Sequence, residues 1–249
     1  MRAGGGIEAN VGRTTLMASS LSFNSTGPNP GNGGGLHLTG AGTVSVTRGL
    51  VQGNTASAEG GGLWNSSTGS MVVTGTSVRD NIASGDLADQ GGGGLFNDGG
   101  SLTVNNSVLR NNVADGDAGS GGGILNNFGT LSVENSLIDG NSATRAGGGI
   151  EANVGSTTLS GTTLVRNDTG ANPGNGGGLH LTGAGTVTIA DGWVNANSAT
   201  NEGGGLWNSE TGTMIVTNTP IYGNTAPDGP QVYNDGGTFT IDGNPVPVG

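Results

Sequence analysis

The tripeptide Gly-Gly-Gly followed by Leu or Ile returns along the whole chain, ending at Ile7, Leu36, Leu63, Leu95, Ile124, Ile150, Leu179 and Leu206. The intervals are 29, 27, 32, 29, 26, 29 and 27 residues, and a degenerate copy, Asp228-Gly229-Pro230-Gln231-Val232, follows 26 residues after the last. A period in the twenties specifies a solenoid, in which each repeat is one turn that buries its apolar face only by stacking on its neighbours. No linker interrupts the repeats, so residues 1–249 read as one domain.

Within a repeat the period is two. The third unit runs Gly60-Gly61-Gly62-Leu63-Trp64-Asn65, then Ser70-Met71-Val72-Val73, then Ser77-Val78-Arg79-Asp80-Asn81. Each stretch alternates apolar and polar residues and is bounded by Gly, Asn or Asp, the residues that tolerate tight turns. Three short strands per turn describe an all-β parallel β-helix of about nine coils of 26–32 residues. The preference of parallel crossovers makes it right-handed. Glycine, at 55 of 249 residues, has no Gly-X-Y period and proline is only 8, which excludes collagen.

Asparagine marks one turn of every coil, at Asn24, Asn54, Asn81, Asn112, Asn141, Asn167, Asn197 and Asn224. Stacked inward amides bond to each other and satisfy groups that are costly to bury alone. A shorter series follows the Gly turn: Asn65, Asn97, Asn126, Asn208 and Asn234. Both sets read as structural ladders.

Residues 3–83 reappear at an offset of 143, so the five-coil block 3–145 is partly duplicated in 146–249. Arrays that grow by duplication suit stalks, adhesins and spacers. The chain opens directly onto a triplet at Met1-Arg2-Ala3, which reads as a segment of a longer repeat protein with Met1 added for expression.

The paired signals, Gly-Gly-Gly-Leu/Ile and aliphatic-x-x-Asn (Val51–Asn54, Val78–Asn81, Leu109–Asn112, Ile138–Asn141, Val194–Asn197, Ile221–Asn224), resemble the GGA[ILV] and FxxN repeats of polymorphic outer membrane proteins. The resemblance spans nearly the whole chain. It implies a right-handed β-helix at a bacterial cell surface or secreted, often acting as an adhesin. Gly stands here for the family's Ala and an aliphatic residue for its Phe, and the family's membrane barrel has no counterpart.

Net charge is −11, from 18 acids and 7 Arg, which disfavours nucleic acid and anionic membranes as partners. Cysteine is absent and no apolar run approaches a membrane span. The position after each triplet Leu/Ile points away from the core and reads Glu8, His37, Trp64, Phe96, Leu125, Glu151, His180, Trp207, Tyr233. This is an exposed stripe, and its His37, Trp64, Phe96, His180, Trp207 and Tyr233 form a platform for sugar rings or a host or cell-surface protein. The alternative is that a loop or a neighbouring chain covers the stripe. Asp86, Asp89, Asp115 and Asp117, in loops of successive coils, supply hard oxygen ligands suited to calcium, although neither the Ca²⁺ nonapeptide nor the EF-hand pattern is present. No other cofactor is indicated.

Three further readings complete the field. Ser/Thr pairs flank the inward residue of the middle strand (Thr43-Val44-Ser45, Thr186-Val187-Thr188), a pattern found on ice-binding solenoids but broken here by Met17, Val72 and Ile215. A β-helix polysaccharide lyase or hydrolase would need facing carboxylates or a base. The nearest grouping is a row of Asp80, Arg110 and Asp139, read as charge pairing across coils. Unprotected coil ends predict end-to-end association, with Pro245-Val246-Pro247 ending the last coil. The leading expectation is a non-enzymatic surface module for adhesion or display.

Overall fold

The computed structural model describes residues 3–249; Met1 and Arg2 lie outside the described residues. Every described strand is short, and successive coils contribute one strand each to parallel sheets. The first sheet takes the strands that follow the triplets, from Ile7–Ala9 through Leu63–Asn65 and Ile150–Asn153 to Val232–Asn234, nine strands in chain order. The second takes the longest strands, from Gly12–Met17 to Thr238–Ile241. The third runs from Ser20–Ser22 to Ile221–Tyr222, eight strands. This is the right-handed parallel β-helix expected, with eight full turns and a partial ninth. A fourth sheet of five two-residue strands, Thr55–Ala56 to Asp168–Thr169, was not foreseen.

Period-two alternation decides what is inside. In the third coil Leu63, Met71, Val73, Val78 and Ala83 are buried, and their register partners continue each column through the rod. One contiguous core results. Each such side chain contributes roughly 1.5–3 kcal/mol of burial for the larger aliphatics, but only once a neighbouring coil covers it.

The three glycines of a triplet have three separate jobs. Gly60 has φ +63°, a left-handed turn. A Cβ on Gly61 would fall inside the carbonyl oxygens of Gly93 and Ile82, so this position is closed by backbone on both sides. A Cβ on Gly62 would lie 2.5 Å from the Gly94 oxygen and 3.3 Å from the Asn81 amide carbon, because the asparagine ladder packs against the third glycine.

That ladder is continuous. Asn141 Oδ1 accepts from Asn112 Nδ2 at 2.9 Å and from the Asn112 backbone N–H at 3.0 Å. Asn141 Nδ2 donates to Asn167 Oδ1 at 2.9 Å and to the Leu109 carbonyl at 3.1 Å. The same bonds recur from Asn24 to Asn224. In the last coil Gln231 replaces the third glycine, and its Oε1 accepts from Asn224 Nδ2 at 3.0 Å where a next asparagine would stand. The shorter ladder runs Asn65–Asn97–Asn126 and then passes to Thr157 Oγ1 at 3.1 Å, because Ala152 occupies the next register position. Asn65 Oδ1 and Asn208 Oδ1 lack partners because Leu38 and Leu181 precede them.

The C-terminal end is closed. Asn244–Pro245 turns back antiparallel on Thr240–Ile241, the Val246 N–H bonds the Phe239 carbonyl at 2.8 Å, and Val246 packs on the core. Pro245-Val246-Pro247 therefore does more than end the coil: it covers it. The opposite end leaves Ile7 and Leu16 only partly buried.

Candidate functional site

The column expected on the outside of the first sheet is aligned as read: Glu8, His37, Trp64, Phe96, Leu125, Glu151, His180, Trp207 and Tyr233 are successive register partners. Its exposure is not as read. Trp64 and Trp207 are 8% exposed, His37 6%, His180 3% and Phe96 1%. Tyr233 is partly exposed, and Glu8, at the open end, is exposed. Strand alternation correctly turned these side chains away from the core. The loops that carry Glu59 and Glu202 reach over Trp64 and Trp207, and Trp64, Phe96 and Leu125 make a second, separate apolar layer.

Inside this layer the rings stack. His37 lies on Trp64 with centroids 4.2 Å apart and planes 9° from parallel, and His180 lies on Trp207 at 4.2 Å and 19°. Trp64 stacks on Phe96 at 6.2 Å and Trp207 on Tyr233 at 6.4 Å. Each indole N–H is spent on a loop carboxylate five residues earlier, Trp64 Nε1 to Glu59 Oε2 and Trp207 Nε1 to Glu202 Oε2, both at 2.9 Å. This Glu-x-x-x-x-Trp spacing is the signal in the sequence that marks the column as covered.

Burial sets the electrostatics. Desolvation pushes Glu59 up to about 7, opposed by the bonds from Trp64 and Asn32 and aided by the charges of Asp98 and Asp89. Desolvation holds His37 down to about 4. In the second copy, Glu151 is enclosed: Oε2 meets His180 Nδ1 at 2.9 Å, Oε1 accepts from Thr182 Oγ1 at 2.7 Å, and Arg145 stands at 3.8 Å. Burial alone would raise the Glu151 carboxyl, but His180, Arg145 and Thr182 together hold it below the usual range. The first copy differs because Glu8 has no coil above it within the described residues; His37 Nδ1 bonds Thr39 Oγ1 at 2.7 Å instead.

The acidic loop residues are brought together only in part. The Asp117 N–H bonds Asp86 Oδ1 at 3.2 Å, and Asp115 accepts from Ser84 Oγ at 2.7 Å. The charge of Asp89 helps raise the Glu59 and Asp98 carboxyls. Among the described residues no three His, Asp or Glu side chains converge on one point. The charge row is shifted by one residue from the reading above: Arg79, Arg110 and Asp139 share a register position, and Asp80 lies beside them. Asp139, 2% exposed, is held by Arg110 Nε at 2.8 Å and by Arg166 at 2.6 Å, while Asp80 pairs with Arg79 at 3.3 Å. Pairing across coils holds, with Arg166 the partner not anticipated.

No family model, curated protein or solved structure matches this chain. The likeness to polymorphic outer membrane protein repeats therefore rests on the two motifs alone, and the parallel β-solenoid is what the structure carries.

Four aromatic residues not singled out above are on the surface among the described residues: Phe23 and Phe128, each alone on a turn, and Trp193 with Tyr222. Trp193 is 50% and Tyr222 48% exposed, in adjacent coils of the third sheet, edge to face at 6.0 Å. Trp193 is turned outward by the inward Val194 beside it, which is the alternation that identifies it in the sequence. The Ser/Thr columns of the second sheet are in register, as in Ser101–Thr130–Ser156–Thr186–Thr213. Met17, Val72 and Ile215 interrupt them as expected, and Arg13 does so as well.

Proposed function

We propose that this chain is a non-enzymatic β-helix rod of a bacterial cell-surface or secreted protein, serving display or adhesion, with the exposed Trp193–Tyr222 pair as its contact for sugar rings. The observation that carries the reading is that its reactive side chains are consumed internally. Both histidines, Trp64, Trp207 and Glu151 are buried and bonded to one another or to loop residues. Such a column stiffens a rod and presents nothing to a substrate. Trp193 and Tyr222 differ in being about half exposed, and aromatic rings reached by solvent suit stacking on the apolar face of a pyranose. The resemblance to surface repeat proteins supports the location.

The test is a polysaccharide panel, with calcium and with a chelator, read both for retention of the protein and for release of new sugar ends. Retention without new ends, lost in Trp193→Ala and Tyr222→Ala but kept in Trp64→Phe, is the expected result. New sugar ends would replace this reading with the polysaccharide lyase or hydrolase. Retention abolished by the chelator would return Asp86 and Asp117 to the site.

A further inference from the structure

The outward face of the second sheet is a lattice of hydroxyls. Two of its columns run the length of the rod in register, one from Arg13 to Thr238 and the other, two residues further along each strand, from Thr15 to Thr240. Of these 18 positions 15 are Ser or Thr, the exceptions being Arg13, Val72 and Ile215. Four successive coils, from Ser101 and Thr103 to Thr186 and Thr188, form an unbroken block. Threonine suits any exposed strand, but that preference does not account for the face. The third sheet of the same rod has Ser or Thr at only four of the 15 positions flanking its inward residues: Ser20, Ser22, Ser77 and Thr163.

The internal duplication separates the two sheets in the same way. In the two columns, Thr15, Thr43, Ser45 and Ser70 correspond to Thr158, Thr186, Thr188 and Thr213, hydroxyl for hydroxyl, and Val72 corresponds to Ile215. Arg13 for Ser156 is the one change of class. On the third sheet, Ser22, Leu50, Ser77 and Arg79 correspond to Val165, Trp193, Pro220 and Tyr222. The hydroxyls of the second sheet are also unspent. All 15 are exposed or partly exposed, and none donates or accepts a side-chain hydrogen bond among the described residues. At the turn that follows each strand, by contrast, Thr76, Ser107, Ser136 and Thr162 donate to backbone carbonyls. The partner of the second-sheet hydroxyls is therefore water, held on a net of about 4.8 Å between coils and about 6.6 Å along each strand. A third column, from Met17 to Thr217, adds Glu134, which with Arg13 makes up the only charges on this face of a chain with 18 acids.

We infer that the outward face of the second sheet binds ice through its Ser and Thr columns. A ligand for such a face is extended, uncharged and itself periodic in two dimensions. Ice meets these terms: its surface repeats hydrogen-bond donors and acceptors on a net, and water already ordered over the hydroxyls joins it. Each hydroxyl holds its water weakly, but many engaged at once hold the rod to a crystal. A crystalline polysaccharide fits less well, because stacking on sugar rings uses aromatic side chains and these columns have none. Trp193 and Tyr222 lie on the third sheet, so this face and the sugar contact stand or fall separately.

The experiment grows ice slowly from a dilute solution of the full chain. It reads the protein taken into the solid against that left in the liquid, with serum albumin as the reference solute, and records the shape of the crystal. The wild-type chain should enter the ice about ten-fold or more above albumin and should facet it. Thr158→Tyr, which plants a ring in the middle of the unbroken block, should fall to the albumin level. Thr163→Tyr, a like change on the third sheet, should match the wild type. Where Thr158→Tyr lacks the wild-type circular dichroism spectrum, Thr186→Tyr in the next coil takes its place. Exclusion of the wild-type chain from ice to the same extent as albumin would overturn the assignment. Equal loss in Thr163→Tyr would mean uptake by the rod as a whole and would overturn it as well. Retention on microcrystalline cellulose or chitin without uptake by ice, abolished by Thr158→Tyr, would assign the face to a crystalline glycan instead.

Discussion

At the scale of single residues, the covered column joins two groups of opposite titration sense around one indole. Glu59, pushed up to about 7, is neutral in folded and unfolded chains below about 4.5, so its contribution is intact there and is lost as pH rises through 7. His37, held down to about 4, is neutral in both states above about 6.5, so its contribution is lost as pH falls through 4. The two slopes oppose each other in the wild-type chain. In Glu59→Gln, stability should therefore climb between about pH 4 and 6.5; in His37→Gln it should fall between about pH 4.5 and 7. Each change is on the order of 1–2 kcal/mol after solvent screening, read from urea midpoints across that range. Slopes of the same sign in the two variants would refute the assignment.

At the scale of the repeating elements, the asparagine ladder is the component most sensitive to a single change. Asn141→Ala removes two donated and two accepted bonds and leaves the Asn112 backbone N–H and one of its two side-chain N–H groups buried without an acceptor. We expect a loss of about 3–4 kcal/mol in chemical denaturation, against about 1 kcal/mol for Asn24→Ala, which donates to Asn54 but stands at the open end. This ladder, the triplet turns and the inward columns were legible in the sequence because each is a local pattern repeated at the coil period. The cover over His37 and Trp64 was not, because strand alternation reports direction relative to the core and says nothing of the loop just ahead of the triplet, whose Glu59 reaches over Trp64. The one-residue shift of Asp80 has a similar origin. Asp80 has φ +56°, and this left-handed residue ahead of each ladder asparagine ends the strand one position before the motif suggests. Sequence spacing counted it as part of the row.

At the scale of the whole molecule, the two ends are unlike. The C-terminal turn covers Phe239 and Ile241 and anchors Asn234 through the Val246 carbonyl at 3.1 Å. Deleting residues 244–249 should expose the last edge of the second sheet, and sedimentation should then show association rising with concentration beyond that of the full chain. Unchanged sedimentation would mean that Gln231 alone, which completes the asparagine ladder, suffices to protect that end.

The direction of the main-chain bonds has a mechanical consequence. They run from coil to coil, parallel to the rod axis, so tension applied between the ends bears first on the single row of bonds holding the outermost coil. That coil unreels before the next is loaded, and each step releases 26–32 residues, on the order of 90–100 Å of contour. A rod built this way yields to force in increments and absorbs work at each one, with the remaining coils still wound.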